Sequence, residues 1–242
     1  MCDNEFMETL ELSVVIPAYN EEKRIQRTIS KICEYFKDKN AAFEVIVVDD
    51  GSIDSTRKIV SSMINEFPNV KLIVHSKNAG KGAAVQTGVL AAKGKMVLVS
   101  DADLSTPISE IEKMEHFIFE GYDIVIGSRK LKDSVIPIPQ PWHRKLSGWI
   151  FQFLVHQILR LSISDTQCGF KLFKLEVAKK IFSNLKHKGF IFDVEILFRA
   201  TQLNYCIKEI GVIWMNSPYS TVRIFRDSIR MFIDLIKIRF GK

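Results

Sequence analysis

Cysteine is scarce and dispersed: the four residues Cys2, Cys33, Cys168 and Cys206 include no C-x-x-C pair. That spacing argues against a structural zinc site or a disulfide framework and suits a reducing compartment. Histidine is equally sparse, with five isolated residues and no H-E-x-x-H, so any metal here is expected to take oxygen ligands. Long apolar runs are missing as well. A spanning helix needs roughly 20 apolar residues, and the strongest candidate, Trp149 to Leu161, is broken by Gln152, His156, Gln157 and Arg160. Residues 1–11 carry acids but no basic residue, the wrong polarity for a secretory signal. No fixed-period repeat or low-complexity tract is present. These absences predict a cytoplasmic protein without a disulfide scaffold.

What is there is an ordinary globular composition, 47% hydrophobic and 26% charged over 242 residues, enough to bury one substantial core. The net charge of +6 suits an anionic partner, although surface charge also serves solubility. The first half alternates strand and helix patterns. Strands are predicted at Leu12–Ile16, Phe43–Val48, Val70–Val74, Met96–Ser100 and Asp123–Ile126, with helices between them. Asn20 with Glu21 and Glu22 is expected to open the first helix, Asp54-Ser55-Thr56 to cap the second, and Pro107 to begin the fourth. This alternation implies an α/β fold with a mostly parallel central sheet. It stops after Gly127. The proline-rich, basic stretch 130–147 reads as a ligand-dependent loop, followed by an amphipathic segment near 147–161, two helical stretches and a basic C-terminal helix.

In an open parallel sheet, ligands bind beyond the carboxyl ends of the strands. Here those ends deliver Pro17-Ala18-Tyr19-Asn20-Glu21, Asp49-Asp50-Gly51-Ser52 and Asp101-Ala102-Asp103 to one rim. Aspartates at 101 and 103 point the same way if the backbone stays extended. Such a pair repels itself unless a cation intervenes, and Mg²⁺ or Mn²⁺ shared with substrate phosphates is the natural occupant. The plainer reading, an Asx turn capping the next helix, is disfavoured by the pair's position at the end of a buried strand. Asp50 fits either a hydrogen bond to a nucleotide base or a turn, and Tyr19 either stacks on a base or packs. Gly80-Lys81-Gly82 mimics a dinucleotide fingerprint but does not follow the first strand and lacks the third glycine. Lys81 can still reach a phosphate. Arg129 at the end of the fifth strand and Arg144 beyond the proline stretch suit diphosphate or phosphate oxygens, whereas Lys130 and Lys132 fit a solvated surface.

The segments VVIPAYNEE (14–22), VVDDGSIDST (47–56), NAGKGAAVQTG (78–88), DADLS (101–105), GSR (127–129), DTQCGFKLF (165–173) and FDVEILFRA (192–200) together resemble the family 2 glycosyltransferases of the GT-A fold, over nearly the whole chain. The last two look most like the dolichyl-phosphate β-glucosyltransferases and the related polyprenyl-phosphate mannosyltransferases. DTQCGFK favours the glucosyl branch. The resemblance implies a domain over residues 1–222 and an amphipathic element over 223–242. It implies an inverting transfer of a hexose from a nucleoside-diphosphate sugar, with UDP-glucose favoured and GDP-mannose the alternative, to a polyprenyl phosphate. Pro17, Ala18, Tyr19 and Glu21 would line the nucleotide, with Asp50 on the base and Lys81, Ala102, Arg129 and Arg223 near the donor. Asp101 and Asp103 would hold diphosphate and metal. Ser105 stands where the mannosyl branch has a metal-binding glutamine. Arg144, Gln167 and Cys168 would frame the acceptor phosphate, and Asp101, Asp103, Arg129 and Arg144 carry the catalytic roles.

A lipid monophosphate acceptor is largely dianionic at neutral pH, its second pKa being about 6, and can attack without a general base. A hydroxyl acceptor on a polysaccharide or glycolipid would need one, with Asp165, Asp193 or Glu195 as candidates. The motifs favour the phosphate, which leaves these three structural. A nucleotide-sugar-binding protein without turnover is a further reading, opposed by the intact Asp-x-Asp. Nucleic acid is not an expected partner, since the basic residues lack interleaved stacking aromatics. In 223–242 the charged residues Arg226, Arg230, Asp234 and Lys237 lie on one helical stripe and Phe225, Ile229, Phe232, Ile233, Ile236 and Phe240 on another. That pattern fits a helix lying on the cytoplasmic face of a membrane, and equally one docked on the core or a partner.

Overall fold

The apolar runs that end in turn residues form the expected strands, and a computed structural model of the chain shows how they assemble; it describes residues 10–138, 142–215 and 224–241. In chain order come β1 (Leu12–Ala18), α1 (Ile25–Asp38), β2 (Phe43–Asp49), α2 (Thr56–Glu66), β3 (Val70–Val74), α3 (Lys81–Ala91), β4 (Met96–Ser100), a short 3₁₀ turn (Ile108–Glu110), α4 (Ile111–Phe119) and β5 (Ile124–Ser128). They are followed by α5 (Trp142–Leu159), β6 (Phe170–Lys174), α6 (Leu175–Phe182), α7 (Phe192–Gln202), β7 (Ile207–Gly211) and α8 (Ile224–Phe240). One seven-stranded sheet runs in the order β3-β2-β1-β4-β6-β5-β7. Its pairs are parallel except where β6 runs antiparallel between β4 and β5.

Successive strand residues face opposite layers. Val14 and Ile16 of β1 and Val45 and Val47 of β2 pack with Ile25, Ile29 and Ile32 of α1 and with Val60 and Met63 of α2. Val15, Ile46 and Val48 face the other way, onto Ala84, Val85 and Val89 of α3, together with α6 and α7. Burial on both faces explains why these strands read as continuous apolar runs. The small residues of α3 permit close approach: a Cβ on Gly88 would overlap the Val15 side chain.

Several expectations need correction. The sheet does not end with the fifth strand, because β6 and β7 add to it after the alternation breaks. Helix α1 starts at Ile25 rather than at Asn20, which adopts φ 57° in the turn before it. Helix α5 begins at Trp142, so the loop after β5 is shorter than expected. Of the alternatives left open for the C-terminal helix, contact with the core is present: Leu235 and Ile238 of α8 are buried with Val155 and Leu159 of α5 and Val194 and Phe198 of α7. Among the described residues, no helix is long and apolar enough to cross a membrane.

Candidate active site

Parallel pairing of β2, β1 and β4 brings their carboxyl ends to one edge of the sheet, and the reversed β6 contributes its amino end there. The register pairs Ser100 with Phe170, which sets Gly169 against Asp101. A Cβ at 169 would overlap the Asp101 carboxylate. The glycine is therefore a cradle for that side chain. Beyond Asp101 the chain turns through Leu104 at φ 47°, a left-handed conformation costing a bulky residue of the order of 1–3 kcal/mol. The backbone therefore does not stay extended through the two aspartates, which the same-side reading required: it turns, and Asp103 accepts the Ser105 amide at 3.0 Å in an Asx turn.

Each aspartate faces a cation from a different element. Lys81 Nζ lies 2.6 Å from Asp101 Oδ1, and Arg24 lies 3.8 Å from Asp103 Oδ2. Arg24 is itself held by Glu21 through two hydrogen bonds of 2.7 Å. Burial raises the Glu21 carboxyl above its ordinary pKa; Arg24 opposes the shift, and the charges of Asp103 and Asp101 add to it. For Lys81, burial pulls downward, but Asp101, Asp193 and Asp103 outweigh it and leave the ammonium more firmly protonated than usual. Glu21, Arg24, Lys81, Asp101 and Asp103 thus share one electrostatic neighbourhood.

Asp50 is buried rather than presented at the rim. Oδ1 lies 2.7 Å from His75 Nδ1 and accepts Ala79 N–H at 2.9 Å, while Oδ2 accepts Gly80 N–H at 2.8 Å. A carboxylate only accepts, so His75 donates from Nδ1 and its Nε2 is left to the Thr87 hydroxyl at 2.9 Å. In this geometry Asp50 shapes the 79–80 turn, one of the two roles that its motif allows. The Gly80-Lys81-Gly82 segment is no phosphate cradle. The Lys188 carbonyl takes Gly82 N–H at 2.7 Å and Ala83 N–H at 3.3 Å, so the amides that open α3 are occupied. The Lys81 side chain, at the rim beside Asp101, is placed for an anion. Pro17 and Ala18 are buried in and beside β1, whereas Tyr19 is exposed at its end.

Arg129, just beyond β5, is locked to buried Asp165. Its Nε and backbone N–H both reach Asp165 Oδ2, at 2.7 and 3.0 Å, and Nη2 donates to Oδ1 at 2.8 Å. Burial opposes both charges, but the pair's attraction prevails: Asp165 is held below the usual carboxylate range and Arg129 above the usual guanidinium value. The Arg129 guanidinium also lies 5.4 Å over the Trp214 ring. Trp214 lines a small pocket with Ser100, Asp101, Ser105, Thr106, Gly169 and Phe170. Ser105 is buried there, and its carbonyl accepts Met215 N–H at 2.7 Å.

The other candidate carboxylates are committed. Asp193 Oδ1 holds the buried Lys171 ammonium at 2.5 Å, and Glu195 accepts Lys186 and His187 backbone N–H at 2.9 and 2.8 Å. The Cys168 thiol, expected near an acceptor phosphate, instead packs in the core, and burial pushes it up to about 11. Gln167 is half-buried on the same loop. Arg144 belongs to the first turns of α5, its side chain outside the described surroundings, and Arg223 lies outside the described residues. His75, Arg24, Gly169 and Trp214 were not singled out from sequence. Arg24 has one readable signal, its i+3 spacing from Glu21.

Among the described residues, no group of three or more His, Cys, Asp or Glu could hold a metal alone. Two rim carboxylates, one of them seated in a glycine cradle, fit a divalent ion that takes its remaining ligands from substrate phosphates. Paired aspartates and a lysine at the strand-end rim of an α/β sheet have the chemistry to take a diphosphate ester through a divalent ion. The chain belongs to glycosyl transferase family 2, whose description matches residues 13–182. It is 37% identical over 246 residues to a dolichyl-phosphate beta-glucosyltransferase of Dictyostelium discoideum, covering 97% of this chain and 75% of that one. It is 36% identical to the human enzyme of that name, covering 96% and 75%. In fold it resembles glucosyl-3-phosphoglycerate synthase of Mycobacterium tuberculosis, solved with Mn²⁺ and UDP-glucose. That match has a TM-score of 0.71 at 18% identity and covers 96% of this chain and 79% of that one.

Proposed function

We propose that the protein transfers glucose, with inversion, from UDP-glucose to the phosphate of a polyprenyl lipid of the dolichyl type. The observation that carries this acceptor assignment is the commitment of Asp165, Asp193 and Glu195 to Arg129, to Lys171 and to the 186–187 backbone. A hydroxyl acceptor needs a free base, and all three candidates are spent. A dianionic phosphate needs none. The names of the curated relatives support the same acceptor and the same sugar.

In this reading Asp101 and Asp103 hold Mg²⁺ or Mn²⁺, with Ser105 beside them; the ion, when bound, offsets charge developing on the leaving diphosphate. Lys81 supplies a positive charge beside Asp101, and Arg129, kept protonated by Asp165, supplies another at the end of β5. Tyr19 stands exposed where a base can lie against it. Gln167 and the neighbouring backbone, with Arg144 from α5, frame the acceptor. A lipid acceptor requires the protein to meet a bilayer. On α5, Trp142, Leu146, Trp149, Ile150 and Phe153 are exposed, and Phe232, Ile233, Ile236 and Phe240 are exposed on the adjoining α8. Aromatic and aliphatic side chains on adjacent helices suit a peripheral, interfacial seat at the cytoplasmic leaflet.

The test is incubation of purified protein with labelled UDP-glucose or GDP-mannose, polyprenyl phosphate and Mn²⁺, followed by organic extraction. Extractable label from UDP-glucose is expected. Label from GDP-mannose alone would reassign the sugar, and label from neither would remove the proposal.

A further inference from the structure

The aspartates proposed to hold a metal already have resident cations, and the two cations are built differently. Arg24 is gripped by Glu21 through two hydrogen bonds and stands 3.8 Å from Asp103. Lys81 makes one close contact, 2.6 Å to Asp101 Oδ1. The backbone beneath Lys81 is pinned: Asp50 takes the amides of Ala79 and Gly80, and the Lys188 carbonyl takes those of Gly82 and Ala83. Only its side chain can move, a flexible stem carrying a compact charge, resting 5.9 Å from the centre of the Phe192 ring. A nearby alternative partner is taken, because Asp193 is bound to Lys171.

We infer that Lys81 is an exchangeable countercation, which pairs with the Asp101 carboxylate before ligands bind and moves to the donor diphosphate as the divalent ion enters. This rests on the proposed donor site and adds an order to its filling. An ion arriving alone must expel an ammonium that has no new anion to meet, so it binds weakly. An ion arriving with a diphosphate finds that anion provided. Metal and nucleotide therefore reinforce each other's binding, and by linkage the reinforcement is mutual.

The experiment measures Mn²⁺ binding by calorimetry and by the EPR signal of free Mn²⁺, using the full chain with and without UDP. In the unaltered protein UDP tightens Mn²⁺ binding about 10-fold or more, within the usual range of site–site coupling. Lys81→Met binds Mn²⁺ without UDP about 10-fold tighter than the unaltered protein, and UDP then tightens it by a smaller factor than in the unaltered protein, the part supplied by direct phosphate coordination remaining. Lys81→Arg keeps the original pattern. Lys81→Gln replaces the methionine variant if thermal melting shows that variant to be poorly folded. The inference is overturned if neutral variants leave metal-only affinity unchanged while UDP still tightens binding; the donor site then survives without the exchange. If the unaltered protein binds no Mn²⁺ even with UDP, the assignment of Asp101 and Asp103 fails and takes the exchange with it.

Discussion

Replacing Asp193 by asparagine separates a structural carboxylate from a catalytic base. Lys171 is 1% exposed and its ammonium has two partners, Asp193 Oδ1 and the Cys168 carbonyl, both at 2.5 Å. Asp193→Asn leaves a buried positive charge with two neutral acceptors, the Cys168 carbonyl and the asparagine oxygen, and no compensating anion. Breaking one side of a buried pair costs about 3–5 kcal/mol. With a urea slope of about 2–3 kcal/mol per molar, the midpoint falls by roughly 1–2 M. Removing both charges, as Lys171→Met with Asp193→Leu, recovers most of that loss, because apolar replacement of a buried pair is often neutral. The assay pairs urea unfolding with sugar transfer under conditions where each variant is folded. A structural Asp193 predicts that transfer by the double variant returns toward the unaltered level. An Asp193→Asn protein with an unchanged midpoint and abolished transfer would refute the reasoning and reinstate a general base.

Gly169→Ala pushes a methyl group into the Asp101 carboxylate; steady-state transfer should fall about 100-fold, as for loss of a preorganised electrostatic group, while urea unfolding shows a cost of about 1–3 kcal/mol. Because Arg129 holds Asp165 below the usual carboxylate range, the pair's contribution is fully present above the unfolded pKa of about 3.9 and is lost as pH falls through the lower folded value. The stability gap between the unaltered protein and Asp165→Asn should therefore be constant near neutrality and close in acid, and a gap independent of pH would count against it. Trp149→Ser with Phe153→Ser, both exposed and stacked with ring centroids 5.9 Å apart, should reduce sedimentation with anionic vesicles several-fold and shift stability by no more than about 0.5 kcal/mol. At neutral pH iodoacetamide should modify exposed Cys206 while Cys33, pushed up to about 12, and Cys168, pushed up to about 11 by burial, stay silent until unfolding, as mass spectrometry of the digested protein would report.

The rim was legible because β1, β2 and β4 are apolar runs whose ends abruptly become Tyr19, Asp49-Asp50 and Asp101-Asp103. Strand β6 was harder to read. Its sequence FKLFK carries two lysines, and Lys171 is buried only because Asp193, far along the chain, neutralises it. Strand β7, IKEIG, carries the adjacent charges Lys208 and Glu209 and pairs on one side only, so it lacks the apolar signature of its neighbours. Without β6 in place, nothing local sets Gly169 beside Asp101. The partnerships Lys81–Asp101, Arg129–Asp165 and Asp50–His75 likewise join residues distant in sequence, which periodicity cannot report. Asp50 shows the limit most clearly: its motif fits a base contact or a turn, and only the folded chain shows both oxygens engaged with the turn that carries Lys81.

Paramagnetic broadening of the phosphorus resonances of UDP by Mn²⁺ tests the shared metal–diphosphate site at Asp101 and Asp103 most directly. The unaltered protein should broaden both phosphorus lines far beyond Mn²⁺ and UDP in buffer. A variant carrying Asp101→Asn and Asp103→Asn should return the lines to the buffer width while remaining folded. Equal broadening in the two proteins would place metal and diphosphate elsewhere and contradict the account.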